Sequence, residues 1–101
     1  MPKFEDQFSE AALEELITIE MNLEQEHGLG NAFYNAMHST VQALLEFPEM
    51  MRVIHASGVR RASVTGFPFN VFYRVKAEFV VIYAVAHQHR KPLYWAKRIP
   101  H

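Results

Sequence analysis

The stretch that decides the fold is FNVFYRVKAEFVVIYAVA, residues 69–86. Residues 69–75 alternate between apolar and more polar side chains and are rich in aromatic and β-branched residues, which is typical of a strand. Residues 76–78 interrupt this pattern as a hairpin turn. Residues 79–86 are then continuously apolar, as expected of a central strand covered on both faces. The stretch therefore predicts an antiparallel hairpin at the centre of a sheet.

The N-terminal half has helical periodicity instead. Ser9 is a predicted N-cap, and apolar residues then recur at spacings of three and four until Gly28 and Gly30 end the helix. A second helix is predicted over residues 31–46 and ends before Pro48, because the residue preceding a proline resists the helical region. The two apolar faces consist of Ala12, Leu16, Ile19 and Leu23, and of Phe33, Met37, Val41 and Leu44.

Three further segments complete the predicted architecture. Residues 59–65 form another strand, residues 4–8 form a short edge strand, and the tail, residues 87–101, is expected to be extended and partly exposed. The predicted fold class is α+β, in which an antiparallel helical hairpin packs on one face of a three- to four-stranded antiparallel sheet. A length of 101 residues suits a single domain over residues 1–101.

The composition excludes several classes of protein. The chain contains no cysteine, which excludes disulfides, thiolate zinc sites and cysteine nucleophiles. Its longest apolar run, residues 79–86, is too short to cross a bilayer. The N-terminus lacks the basic and apolar segments of a signal peptide, so we expect a cytoplasmic protein without membrane partners. No phosphate-binding glycine loop or other cofactor motif is present, so we expect no cofactor.

Charge is distributed unevenly along the chain. Residues 1–50 contain ten acidic residues and one basic residue, whereas residues 51–101 contain nine basic residues and one acidic residue. This asymmetry favours a basic surface for an anionic partner. The alternative is that the two halves neutralise each other within the fold.

The candidate binding residues lie in the basic half. Arg60 and Arg61 should point to opposite faces of their strand, and Arg74 shares a face with Phe72 and Asn70. These arginines either form a positive surface for nucleic acid or protein, or pair with helix glutamates. The candidate partner-binding residues are Arg60, Arg61, Arg74, His87, Arg90, Tyr94 and Trp95.

The same region also suggests a ribonuclease. Cleavage through a 2′-hydroxyl needs a base, an acid and cations around the phosphate. The residues that would fill these roles are His87, His89, Tyr94, Arg61 and Arg74. The alternative is that His87 only ends its strand and Trp95 folds back onto the core. The two histidines of His87-x-His89 have no nearby acid or cysteine, so we expect no metal site.

One feature of the first helix bears on partners. Ile17 and Met21 lie four residues apart and away from the predicted core face. They either widen that core face or meet another chain, such as a helix of a partner protein or a second copy of this protein.

An ordered set of short motifs resembles a known family. Residues 44–49 (LLEFPE) end the helical hairpin, and the remaining motifs follow in the basic half. They are Gly58-Val59-Arg60-Arg61, Phe67-Pro68-Phe69, Phe72-Tyr73-Arg74-Val75, Ala84-Val85-Ala86-His87 and Arg90-x-Pro92-x-Tyr94-Trp95. From about Ser9 to Trp95 the chain resembles the ParE branch of the RelE/ParE toxins, often called plasmid-stabilisation proteins. Residues 5–7 are more acidic than the usual first strand of that family.

The resemblance implies a function as well as a fold. It implies the toxin of a type II toxin–antitoxin system, neutralised by a cognate antitoxin in a hetero-oligomer. ParE-type members inhibit DNA gyrase, whereas RelE-type members cut messenger RNA on the ribosome. Apolar residues at most strand positions favour the non-enzymatic, gyrase-inhibiting type over the endoribonuclease. A third alternative is an inactive relative that only binds an antitoxin.

Overall fold

A computed structural model describes residues 3–100 of the chain. It contains four strands, two long helices and one turn of 3₁₀ helix. In chain order these are β1 (Glu5–Phe8), α1 (Glu10–His27), α2 (Gly30–Glu46), β2 (Arg60–Ser63), β3 (Phe69–Lys76), β4 (Phe79–His87) and η1 (Ala96–Arg98). No helix within residues 3–100 is both long and apolar enough to cross a membrane.

The predicted boundaries of α1 are confirmed by its capping groups. The Ser9 hydroxyl accepts the backbone N–H of Ala12 at 3.1 Å, which satisfies one of the amides that a helix start leaves unpaired. At the other end Gly28 adopts a left-handed φ of 67°. The N–H groups of Gly28 and Leu29 donate to the carbonyls of Glu24 and Leu23, which closes the helix.

The fold class is confirmed, and the order of the strands adds a detail. The sheet runs β1-β4-β3-β2, with antiparallel β2–β3 and β3–β4 pairs as predicted. However, β1 pairs with β4 in parallel, so the four-stranded sheet is mixed and not wholly antiparallel. The chain returns from β1 to β4 through both helices and two other strands, and such a long connection permits parallel pairing.

Each face of the sheet carries its own core. Val71, Tyr73 and Ile82 face the helices and pack with buried residues of α2 such as Phe33 and Met37. The opposite face carries Val59, Tyr83, Ala84, Trp95 and Ile99. β4 is covered on both sides, as its unbroken apolar sequence predicts.

The tail is partly exposed as predicted, since residues 88–93 are exposed. The prediction that it is extended and contributes nothing to the core is wrong. Trp95 and Ile99 are 1% and 6% exposed, because the chain turns back after β4 and lays residues 88–100 over the second face of the sheet. Trp95 packs 5.2 Å from Phe72 between ring centroids. We call residues 88–100 the C-terminal segment. His101, the last residue of the predicted tail, lies outside the described residues.

Candidate functional site: a cationic groove beside the C-terminal segment

A groove of about 150 Å³ lies where the C-terminal segment crosses the sheet face opposite the helices. Arg61, His87, Arg90 and Lys91 contribute its cationic and titratable side chains, and all four residues are exposed. No acidic residue lines it within the described part of the chain. We call it the cationic groove. Its remaining walls include Asn70, Phe72, Gln88, Leu93, Tyr94 and Trp95.

Arg60 and Arg61 point to opposite faces of β2, as their positions in the strand predict. Arg61 is paired with Phe72 of β3, faces the C-terminal segment and enters the groove. Arg60 is turned the other way, and its guanidinium donates to the backbone carbonyls of Glu49 and Met51. The structure therefore brings Arg61 to the groove and leaves Arg60 outside it.

Arg74 lies on the same sheet face as Phe72 but is engaged elsewhere. Its guanidinium donates to the Ser57 carbonyl and to the Tyr83 hydroxyl, both at 3.3 Å. The helix glutamates are therefore not its partners, contrary to the alternative considered from sequence. Arg74 supports the loop before β2 and does not line the cationic groove.

The aromatic residues of the C-terminal segment form the wall of the groove. The Arg90 guanidinium carbon lies 4.0 Å from the centroid of the Tyr94 ring, within the range of a cation–π contact. Trp95 is buried between Phe72 and His55, at centroid distances of 5.2 and 5.3 Å. Trp95 therefore shapes the wall and offers almost no surface to a partner.

The two predicted catalytic histidines lie together at the end of β4. The rings of His87 and His89 stack at 5.2 Å, and the His89 backbone N–H donates to Nδ1 of His87 at 3.1 Å. Nδ1 of His87 is therefore an acceptor, which leaves Nε2 to carry the proton of the neutral ring. Within residues 3–100, no group of three potential metal ligands converges anywhere.

Glu15 on α1 is the residue that the sequence interpretation missed. Its carboxylate accepts two hydrogen bonds from the Arg98 guanidinium, at 2.9 and 3.2 Å, and one from the Tyr94 hydroxyl at 2.8 Å. It also accepts the backbone N–H of Val85 at 3.1 Å. Glu15 lies three residues after Ala12 and four before Ile19, so it borders the apolar face of the helix. That position could have indicated a glutamate that is partly buried.

The ionisation of this cluster follows from the same contacts. Burial raises the pKa of Glu15, but hydrogen bonds from Arg98, Tyr94 and the Val85 amide, with the charge of Arg98, outweigh burial and leave that pKa below its usual value. Burial and the neighbouring Glu15 carboxylate raise the pKa of Tyr94. The network is therefore a carboxylate held by a guanidinium and a neutral phenol, and it fastens the C-terminal segment to α1.

A second surface lies on the outer side of α1. Leu13, Ile17 and Met21 are 46%, 48% and 56% exposed and follow one another at spacings of four residues. They form a continuous apolar stripe, which we call the α1 stripe. The expectation that Ile17 and Met21 lie away from the core is confirmed. Exposed glutamates accompany the stripe at positions 10, 14 and 24.

Comparison with known proteins identifies the family. A family profile described as "ParE toxin of type II toxin-antitoxin system, parDE" matches residues 7–92. A solved structure described as "Chromosomal ParDE TA system from P. aeruginosa" has the same fold, with a TM-score of 0.73 at 18% identity, over 86% of this chain and 98% of that one. No curated protein sequence matches the chain. Because the profile spans most of the sequence, from β1 to the groove, the chain belongs to the family of ParE toxins of type II toxin–antitoxin systems.

Proposed function

We propose that this ParE toxin acts in the cytoplasm by binding DNA gyrase, without an active site of its own, and that a cognate antitoxin neutralises it. The observation that carries the proposal is that Tyr94 and Arg74 already have hydrogen-bond partners within the fold. The Tyr94 hydroxyl donates to Glu15 at 2.8 Å, and the Arg74 guanidinium is used by the Ser57 carbonyl and the Tyr83 hydroxyl. Two of the five candidate catalytic groups are thus engaged in hydrogen bonds within the fold.

The chemistry of RNA cleavage explains why these hydrogen bonds matter. A base must accept the 2′-hydroxyl proton while an acid and cations act at the same phosphate. The Tyr94 hydroxyl already donates its proton to Glu15 at 2.8 Å, and burial and Glu15 raise its pKa, which makes it a poor proton donor to a phosphate. Arg74 lies outside the cationic groove. The groove therefore suits binding better than catalysis.

The test is a supercoiling assay with purified gyrase and relaxed plasmid. We expect the purified toxin to inhibit supercoiling and the antitoxin to restore it. Induction of the toxin alone in cells should stop growth and alter plasmid supercoiling. Unimpaired supercoiling in both experiments would refute the gyrase assignment.

The endoribonuclease remains the competing function because Arg61 and His87 do line the same groove. Primer extension on messenger RNA after induction distinguishes the two. The gyrase proposal predicts no new cuts. New cuts that disappear in His87→Ala and His89→Ala variants would establish the nuclease instead, and an absence of any toxicity would indicate an inactive relative.

We further propose that the antitoxin covers the α1 stripe. An exposed apolar stripe of this kind marks a surface that another protein covers. The glutamates beside the stripe favour a partner whose apolar contact residues are flanked by basic residues. A helix with anchors at spacings of three and four residues would match the stripe. The antitoxin is the partner that membership of this family implies.

The antitoxin surface is tested by a charge placed in the middle of the stripe. An Ile17→Glu toxin should remain toxic but should no longer be rescued by the co-expressed antitoxin. The matched control is Val53→Glu, at a comparably exposed apolar residue in the loop before β2. Equal rescue of both variants would remove the stripe from the antitoxin interface.

A further inference from the structure

We infer that the cationic groove binds the phosphodiester backbone of duplex DNA, without reading its sequence. The inference deepens the proposed function and rests on it in one respect: the DNA is taken to be the DNA bound by gyrase. The first argument is electrostatic. Arg61, Arg90 and Lys91 are all exposed and line one groove, and no carboxylate within residues 3–100 lines it with them.

The groove is also shaped for a charged polymer in preference to an acidic protein segment. Among the described residues that line the groove, Leu93, at 51% exposure, is the one large apolar residue that is exposed. A protein segment docking there would meet three exposed cations around Leu93, whereas the centres of protein interfaces are depleted of charged residues. A phosphodiester backbone needs no apolar contact, because phosphate neutralisation supplies most of its binding free energy.

The aromatic residues decide between a duplex and a single strand. Proteins that bind single strands stack the bases on exposed aromatic rings. Here Trp95 is buried at 1% exposure, and the Tyr94 ring already has guanidinium carbons of Arg90 and Arg98 at 4.0 and 5.0 Å from its centroid. The other two rings in the described wall also have partners, since half-buried Phe72 packs on Trp95 and the exposed His87 ring stacks on His89, both at 5.2 Å between centroids. Contacts to the backbone of a duplex are therefore favoured over stacking of bases.

Arg90 is held in place for such a contact. Its stacking on Tyr94 limits the conformations of a long side chain, and Tyr94 is itself fixed by its hydrogen bond to Glu15. Ordering a free arginine on binding costs conformational entropy, and a side chain already ordered avoids part of that cost. The amides of Asn70 and Gln88 line the same groove and offer neutral donors to phosphate oxygens.

The test measures binding of a short fluorescein-labelled DNA duplex to the purified full chain by fluorescence anisotropy, over a series of salt concentrations. We expect log K to fall linearly with log salt. The triple variant Arg61→Gln, Arg90→Gln, Lys91→Gln should reduce the magnitude of that slope by about 3, roughly one for each lost phosphate contact. The matched control is Arg52→Gln, Lys76→Gln, Lys97→Gln, which removes three exposed cations outside the groove and should keep the slope.

Four outcomes would overturn the inference. They are no binding at low salt, equal losses in the two triple variants, displacement of the duplex by polyglutamate at equal charge concentration, and tighter binding of a single-stranded RNA of the same length. The assay contains no gyrase, so its failure is separate from failure of the proposed function. A native toxin that binds no DNA but inhibits gyrase would refute only this inference, and a native toxin that binds DNA but does not inhibit gyrase would refute only the gyrase assignment.

Discussion

Glu15 lies beside the part of β4 that extends beyond its pairing with β1. β1 pairs with β4 only as far as Ile82, after which the chain turns away into α1. Beyond that point Glu15 accepts the N–H of Val85, and Arg98 donates to the carbonyl of Tyr83 at 3.0 Å. Two side chains thus supply hydrogen bonds that another strand would have made to the Val85 N–H and the Tyr83 carbonyl.

Replacement of Glu15 should therefore destabilise the fold. We expect Glu15→Gln to lower the free energy of unfolding by about 1 to 3 kcal/mol, because hydrogen bonds to a charged group are lost in a part-buried site. Urea unfolding followed by circular dichroism measures this. The control, Glu14→Gln at the exposed preceding residue, should change it by less than about 0.5 kcal/mol. Equal effects would mean that the network contributes nothing.

The same carboxylate predicts a dependence on pH. The pKa of Glu15 is lower in the folded chain than its ordinary value of 4.5. A group of this kind stabilises the fold above its unfolded pKa and loses that contribution as the pH falls through the folded pKa. The difference in unfolding free energy between the native chain and Glu15→Gln should thus be constant above pH 4.5 and shrink below it. A difference that persists in acid would contradict the assignment.

For single residues, the sequence predicted which way a side chain points better than it predicted the groups that the side chain contacts. Alternation along a strand was enough to place Arg60 and Arg61 on opposite faces. It could not show that Arg60 binds backbone carbonyls of the preceding loop, since loop conformation leaves no periodic signal. Glu15 was missed because its partners, Arg98 and Tyr94, lie about eighty positions away in sequence, at separations of 83 and 79 residues.

The elements themselves were largely predictable. Caps and periodicity located α1 and α2, and the apolar run of β4 placed it at the centre of the sheet. The exposure of residues 88–93 was predicted, but the turns and buried residues of the C-terminal segment were not, because prolines, basic residues and aromatics in a short stretch have no regular period. Burial of its Trp95 depends on the apolar second face of the sheet, which is a tertiary property.

The left-handed glycine that ends α1 gives a prediction at the scale of the element. In Gly28→Ala the new methyl group would meet no heavy atom within 4 Å, so only the backbone conformation carries a cost. We expect a loss of about 1 to 2 kcal/mol in unfolding free energy. Gly28→Asn should lose less, because asparagine tolerates the left-handed region. Similar losses for both variants would show that the left-handed backbone conformation is not the cause.

At the scale of the whole molecule, two cores share one sheet. Adjacent residues of β3, such as Phe72 and Tyr73, point into different cores. Next to them the pairing shifts by one residue, since Phe72 pairs with Ala84 but Tyr73 with Ile82, which leaves Tyr83 as the extra residue of a β-bulge. Tyr83 and Ala84 therefore both face the C-terminal segment. Strict alternation could not predict that.

Because the cores share strands, they should unfold together. The chain contains a single tryptophan, and Trp95 reports on the core beneath the C-terminal segment, while far-ultraviolet circular dichroism reports mainly on the two helices. Urea unfolding curves from the two probes should coincide, as for a two-state domain. An earlier fluorescence transition would show that the C-terminal segment detaches independently of the helical hairpin.

The parallel pairing of β1 with β4 also has a consequence for biosynthesis. β1 is synthesised well before its partner β4, since Glu5 lies opposite Phe79. Helices can form while the polypeptide is still growing, but the sheet cannot close until β4 has been made, and such distant contacts slow folding. The groove framed by β2, β3, β4 and the residues after them therefore forms late in synthesis, after both helices.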